Sequence, residues 1–388
     1  MKFKLRKTPL AWLQVKREKQ RLTIALAGIA FADLLMFVQL GLNETLYSSA
    51  VNLHNSLQGD LFLLNPISEA LQTPQSFSRQ RLYQAASFKE IASITPVYLA
   101  GAKWRNPQQL DRIQIVQTVG IDPSKSTFIL PEVNQQINEI KLIDSVLFDR
   151  NSRPEFGNIS TLLQQKSPLL VQVNERRVLV TGLFTLGTSF GANGTMVTSD
   201  STFLRLFPDR QAEQIDVGLI KLEPGANRQQ VQTALKAYLP KDVVVLTQEE
   251  FGAREQQYWS TNTPTGFIFG LGTIIGFIVG IVIVYQILYS DVSDHLPEYA
   301  TLKAMGYSNR FLVNILIQES LILAFLGFIP GFILSSGLYV IAAQATLLPI
   351  GMTANRAVFV LSLTVVMCTV SGGIAMRKLQ AADPADIF

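Results

Sequence analysis

Two histidines, His54 and His295, and one cysteine, Cys368, are the chain's whole supply of imidazole and thiol. That supply excludes a histidine-rich metal centre, and no nucleophile, base and orienter can be assembled from it. Neither HExxH nor GxSxG occurs, and no GxxxxGK[ST] loop is present to hold a phosphate, so nucleotide chemistry would have to come from a partner. The acidic pair Glu249-Glu250 is one that any charged surface supplies. No catalytic residue and no metal ligand is expected. One acid stands apart. Asp33 lies near the middle of the apolar run LTIALAGIAFADLLMFVQLGL (Leu22 to Leu42), where an ionised carboxylate is expensive. It must face protein or water, either as a hydrogen bond between helices or as a group that handles substrate or a proton. Gln39 lies nearer the outer end of the same run.

A second chemistry is mechanical. PEYATLKAMGYSNRFL (Pro297 to Leu312) sits between two long apolar runs. Pro297 favours a helix start, and Tyr299, Leu302 and Met305 repeat at three-residue spacing to give one apolar edge. Glu298 falls near the positive end of that helix and Lys303 near its negative end. Gly306 suits a left-handed stop, and Ser308 or Asn309 can cap the helix that becomes the third span. The spacing predicts a stiff knob tied to two spans. It can receive a push from a soluble partner, or it can pack against this chain's own basic helix at Pro9 to Arg21.

These residues need a membrane scaffold. The chain has 388 residues, 48% hydrophobic and only 16% charged, against about 25% charge in ordinary soluble domains. The net charge of +4 is modest, and the basic residues crowd toward the start rather than onto a folded face, which argues against nucleic acid as a partner. Four runs can cross a bilayer: 22–42, 266–289, 311–342 and 357–376. The first is about 21 residues, longer than a signal-peptide core, and lacks a small-x-small cleavage site directly after it. Pro330-Gly331 interrupts the third, and in a membrane helix that pair can kink the span without ending it.

Lys2, Lys4, Arg6, Lys7, Lys16, Arg17, Lys19 and Arg21 precede the first run, which places that end in the cytoplasm. The 290–310 loop and the tail at 377–388 then share that side, while 343–356 forms a short outer loop. Residues 1–21 read as a basic amphipathic helix, with Trp12 at headgroup level or simply as a topology signal. Gly272, Gly276 and Gly280 share one face of the second span, a spacing that lets helix backbones approach closely.

Between the first two spans, 43–263 forms a large outer domain of mixed α/β type with two subdomains. Gln214 to Leu222 and Val243 to Leu246 read as strands around a helix at Arg228 to Tyr238 capped by Asn227, a β-α-β unit. Ile91 to Leu99, Arg112 to Val119, Arg177 to Thr185 and Thr195 to Thr198 read as further strands. Ser201 is placed to cap a short helix at Thr202 to Phe207. Lys141 to Pro168 reads as an excursion, either a second subdomain or a surface loop.

EYATLKAMGYSNRFL resembles the signature cytoplasmic segment of the MacB/FtsX-type ABC transporter permeases, and Ala382-Asp383-Pro384-Ala385-Asp386 resembles that family's tail. PLAWLQVKREKQRL followed by AGIAFADLLMFVQLG is similar, more narrowly, to the DevC permeases of cyanobacteria. The resemblance covers both ends and the spans. It implies a non-catalytic permease subunit of an inner-membrane exporter with both termini cytoplasmic, working as a homodimer with two copies of a separate ABC ATPase. That ATPase would bind the ATP and Mg. Glu298, Tyr299, Leu302, Lys303, Met305 and Gly306 map onto the coupling helix and its turn, and Asp33 takes a structural role. The outer domain would meet a periplasmic HlyD-like adaptor, which leads to a TolC-like outer-membrane channel, and the cargo would be a lipid or glycolipid. The alternative is an FtsX-like mechanotransmitter that controls a periplasmic hydrolase, or a membrane-anchored enzyme.

Overall fold

The structure, a computed structural model, describes residues 19–381. The basic stretch 1–18 and the tail motif 382–386 lie outside the described residues. The chain divides into two compact units. One holds the long helices, and the other comprises Thr45–Gly266 together with Gln344–Pro349.

Four helices, spans 1 to 4, are long and apolar enough to cross a membrane: Lys19–Ala50, Pro264–Asp294, Val313–Thr346 and Ala354–Ala375. Each outruns its apolar core. Hydropathy marks only the hydrocarbon part, while the polar residues flanking each run extend the same helix. The helix of span 3, Asn309–Thr346, continues through Pro330.

The second unit is built on nine paired strands in one sheet. In chain order the strands are β1 (Leu61–Leu64), β2 (Phe77–Ser78), β3 (Ile91–Arg105), β4 (Ile113–Ile121), β5 (Ser145–Asp149) and β6 (Leu169–Val173). They continue with β7 (Arg176–Phe184), β8 (Thr195–Ser199), β9 (Gln214–Ile215), β10 (Val217–Leu222) and β11 (Val244–Thr247). The sheet order is β11-β1-β10-β3-β4-β8-β5-β7-β6, and β2 pairs with β9 apart from it. Strand β3 is long enough to serve twice. Its first half pairs with β10, and its last two residues pair with β6. The second pairing closes β3, β4, β8, β5, β7 and β6 into a ring. Trp104, Val116, Phe148, Val171, Val178 and Met196 fill it, and the Trp104 indole N–H donates to the Phe156 carbonyl at 3.0 Å.

The open half has both faces covered. In β1 all four residues are buried, because Phe62 and Leu64 enter one core while Leu61 and Leu63 enter the other. The helix Arg228–Tyr238 lies between β10 and β11 in sequence, with Asn227 Oδ1 accepting from the amides of Gln229 and Gln230. Strand β1 is antiparallel to both β10 and β11, so the β-α-β unit is split by a strand from far upstream. Two local expectations change. Ser199, not Ser201, caps the helix Asp200–Leu206, its hydroxyl accepting the Thr202 amide at 3.2 Å. Residues 141–168 supply β5, a strand of the ring whose five residues are all buried, with Val146 and Phe148 entering the ring core and Leu147 the neighbouring core, so the segment is not a plain surface loop.

Asp216 interrupts the expected strand 214–222, separating β9 from β10. Its Oδ2 accepts the Leu99 amide at 2.6 Å and Arg210 Nη2 at 2.7 Å, and its Oδ1 accepts Ser76 Oγ at 2.9 Å. Burial pushes this carboxyl above its ordinary range, against the lowering effect of the Leu99 amide and Arg210. The folded domain therefore keeps this proton at pH values where the unfolded chain has lost it. The group's contribution to stability falls as pH rises from the ordinary carboxylate value through the raised one. Asp216→Asn is expected to flatten that descent in thermal melts of the full chain across the acid range. An unchanged slope would reject the assignment.

Candidate coupling segment and the helix junctions behind it

Span 2 ends at Asp294, and the chain turns at His295 into the helix Leu296–Ala304. The turn is pinned. His295 Nδ1 lies 3.0 Å from the Asp291 carbonyl, while Arg21 at the start of span 1 reaches Asp291 Oδ1 at 3.1 Å and also pairs with Asp294. Pro297 stands in the first turn, and Thr301 Oγ1 donates back to its carbonyl. The helix stops as the sequence predicts. The Gly306 amide donates to the Lys303 carbonyl at 3.0 Å and the Tyr307 amide to the Leu302 carbonyl at 3.2 Å. That pair of bonds is a Schellman closure. Gly306 has φ +92, and nothing approaches within 4 Å of where its Cβ would be, so conformation rather than space requires the glycine.

The apolar edge is divided between two tasks. Tyr299 is buried and packs with Val292 and Leu316, joined by the half-buried Leu302 and Phe311. Lys303 is also half-buried. Glu298, Ala304, Gly306 and Tyr307 are exposed, and Met305 is 64% exposed. Tyr307 lies on the ring of Phe311, with centroids 4.8 Å apart. Within the sequence-derived set, then, Tyr299 and Leu302 seat the helix, while Glu298, Met305 and Gly306 are available to a partner.

Span 1 is the helix against which the other three pack. The glycines of span 2 face it. A Cβ on Gly276 would lie 3.2 Å from Leu35 Cβ, and one on Gly280 would lie 2.9 Å from Ala32 Cβ and overlap the buried Met367 of span 4. At Gly272 the obstacle is the flexible end of Gln39. Gly280→Val is therefore expected to cost about 1–3 kcal/mol through overpacking, with Gly272→Ala much milder. Detergent melts of the two variants would check the ranking. Gly331 of span 3 meets Asp33, whose Oδ1 is 2.6 Å from Thr364 Oγ1 of span 4. Near the other end, Arg356 holds Glu44, with Nε to Oε2 at 3.2 Å, and lies 5.2 Å from the centre of the Tyr339 ring. The Tyr339 hydroxyl donates to the Phe37 carbonyl.

In the unit Thr45–Gly266 a comparable junction joins the chain's entry to its exit. His54, on the helix Asn52–Ser56, and Glu255, on the helix Gln248–Gln257, are 2% and 3% exposed. Glu255 Oε2 accepts from the Leu71 amide at 2.9 Å and lies 3.3 Å from His54 Nε2, and Oε1 accepts from Trp259 Nε1 at 3.0 Å. The His54 ring also packs on Phe251. The Trp259 end is one π-helical turn, Tyr258–Asn262, which closes this exit helix. Sequence reasoning missed these polar junctions. Arg21 and Arg356 were visible only as topology charges, and nothing local marks the partners of Glu44, Asp291 or Glu255.

Residues 264–384, which include the helix Leu296–Ala304 and spans 2 to 4, match a family model, the FtsX-like permease C-terminal domain. No curated protein matches the chain. Among solved structures, the periplasmic region of MacB from Actinobacillus actinomycetemcomitans aligns at 12% identity over 53% of this chain and 96% of that one, with a TM-score of 0.35. The extracellular domain of the noncanonic ABC-type transporter YknZ from Gram-positive bacteria aligns at 12% identity over 49% of this chain and 99% of that one, with a TM-score of 0.32.

Proposed function

We propose that this chain is the membrane permease subunit of an ABC exporter, driven by a separate ATPase. The observation that carries the reading is the helix Leu296–Ala304 within the FtsX-like region. It is seated by buried Tyr299, closed by Gly306, and leaves Met305 and Tyr307 exposed. A short helix fixed at its base and apolar at its tip can receive displacement without absorbing it. In this reading Glu298, Lys303, Met305 and Gly306 meet the ATPase, with Tyr299 and Leu302 holding the helix in place. Two copies of the chain pair with two ATPase subunits, which bind ATP and Mg. The orientation follows the N-terminal basic residues, with both termini cytoplasmic and the outer domain on the far side of the inner membrane.

The outer domain then works with a HlyD-like adaptor and, through it, an outer-membrane channel. A lipid or glycolipid is the cargo, on the DevC-like features of span 1. Motion reaches the outer domain through the helices of spans 1 and 2. The substrate need not pass through the membrane portion of this chain. The test is affinity purification from mild-detergent membrane extracts with mass spectrometry of the proteins that accompany the chain. An ABC ATPase with an adaptor is the expected result. An ATPase with a wall hydrolase would replace the exporter by a regulatory transmitter, and a chain recovered repeatedly alone would overturn both.

A further inference from the structure

Asp33 is fully buried in the helix unit, and its two carboxyl oxygens are treated differently. Oδ1 lies 2.6 Å from Thr364 Oγ1, while Oδ2 has no hydrogen-bond partner among the described residues. Thr364 Oγ1 is at the same time 2.8 Å from the carbonyl of Val360, one turn back on span 4. A threonine hydroxyl has one proton to donate and lone pairs with which to accept. A carbonyl can only accept, so the Thr364–Val360 contact uses that one proton. The 2.6 Å contact then needs its proton from the aspartate.

The ionised alternative is poorer on each count. A carboxylate would draw the threonine proton and leave two acceptors facing each other at Val360. It would also place a charge with one hydrogen bond and an unpaired oxygen in a buried intramembrane position. On span 3 the neighbour is Gly331, where a Cβ would come within 2.8 Å of Asp33 Cβ, so the glycine lets the span 3 backbone pack closely against this residue.

We infer that Asp33 is a neutral carboxylic acid that donates a hydrogen bond to Thr364, which relays it to the Val360 carbonyl and clamps span 1 to span 4. Asp33 is then a positioning residue of the bundle that neither binds substrate nor shuttles a proton. The proton stays on one oxygen, and the chain of donors ends on a backbone acceptor. An asparagine amide can make the same donation, whereas leucine cannot.

The experiment is infrared spectroscopy of the full-length protein in detergent at neutral pH. The difference spectrum of wild type minus Asp33→Asn is expected to contain the C=O stretch of a protonated carboxyl. That band should move in Thr364→Val, which removes the acceptor, and stay in place in Thr364→Ser, which keeps it. Loss of carboxylate bands instead, or a band indifferent to Thr364→Val, would overturn the inference. Because Thr364→Val leaves Asp33 in place, the test does not depend on how well Asp33→Asn folds. Melting curves add a second arm: Asp33→Asn should hold the wild-type midpoint and Asp33→Leu should lower it, and equal midpoints for Asp33→Leu and wild type would count against a clamp.

Discussion

Met305→Asp is expected to abolish co-purification of the ATPase while leaving the chain in the membrane at wild-type level. The side chain is 64% exposed at the closed end of the helix Leu296–Ala304, so its loss removes little internal packing. Burying a methionine in a partner's groove contributes about 1.5–3 kcal/mol. A carboxylate forced into that groove forfeits this and adds a desolvation penalty of several kcal/mol. Since each 1.4 kcal/mol is about tenfold in affinity, the complex should weaken by about a hundredfold or more.

Tyr299→Ala provides the contrast. Tyr299 is 2% exposed and packs on Val292 and Leu316, so its truncation unseats the helix and should lower the melting temperature as well as the yield of complex. Leu302→Asp belongs with Tyr299→Ala rather than with Met305→Asp, because Leu302 is half-buried against the same cluster and its carbonyl accepts the Tyr307 amide. Co-purification of the ATPase with Met305→Asp at wild-type stoichiometry would remove this segment from the interface.

Legibility in the sequence tracks the range of the interactions involved. Tyr299, Leu302 and Gly306 lie within three turns of each other, and their spacing alone specifies a helix with a left-handed stop. Asn227 is likewise next to the amides it caps. The spans were legible because lipid demands long uninterrupted apolarity, although their helical ends were not, since Lys19 to Arg21 and Asp291 to Asp294 are polar residues in helical continuity with the apolar run. Strand β1 was invisible as the partner of β10 and β11, because LFLL carries no alternation when both of its faces are buried. β5 failed for the same reason. VLF in its middle looked like a short apolar patch beside the turn-forming DRNSRP, and it is buried from both sides because the ring core takes Val146 and Phe148 while the neighbouring core takes Leu147. The polar junctions need partners from distant elements, and a single carboxylate in sequence gives no sign of which amide or indole it will meet.

The largest loss of stability is expected at one such carboxylate. Glu255→Ala removes at once the acceptor for two buried donors, the Leu71 amide and Trp259 Nε1, and the carboxylate 3.3 Å from His54 Nε2. A buried donor left without a partner costs about 1–3 kcal/mol, and the three contacts share one site, so their losses overlap rather than add. A total of about 3–5 kcal/mol is expected, comparable to breaking a buried pair. Glu255→Gln keeps one carbonyl oxygen and should lose less, because it can still serve either Trp259 or Leu71. His54→Ala removes the polar contact with Glu255 together with the ring packed on Phe251, and should fall between the two. Denaturant unfolding followed by Trp259 fluorescence, set against Trp104 in the ring core as an internal reference, would report the order. The helices Asn52–Ser56 and Gln248–Gln257 stand near where the chain enters and leaves the unit Thr45–Gly266. In the exporter reading, Glu255→Ala at a temperature where it remains folded should keep ATPase association and lose export. Retention of full export alongside the predicted instability would confine His54 and Glu255 to a purely structural role.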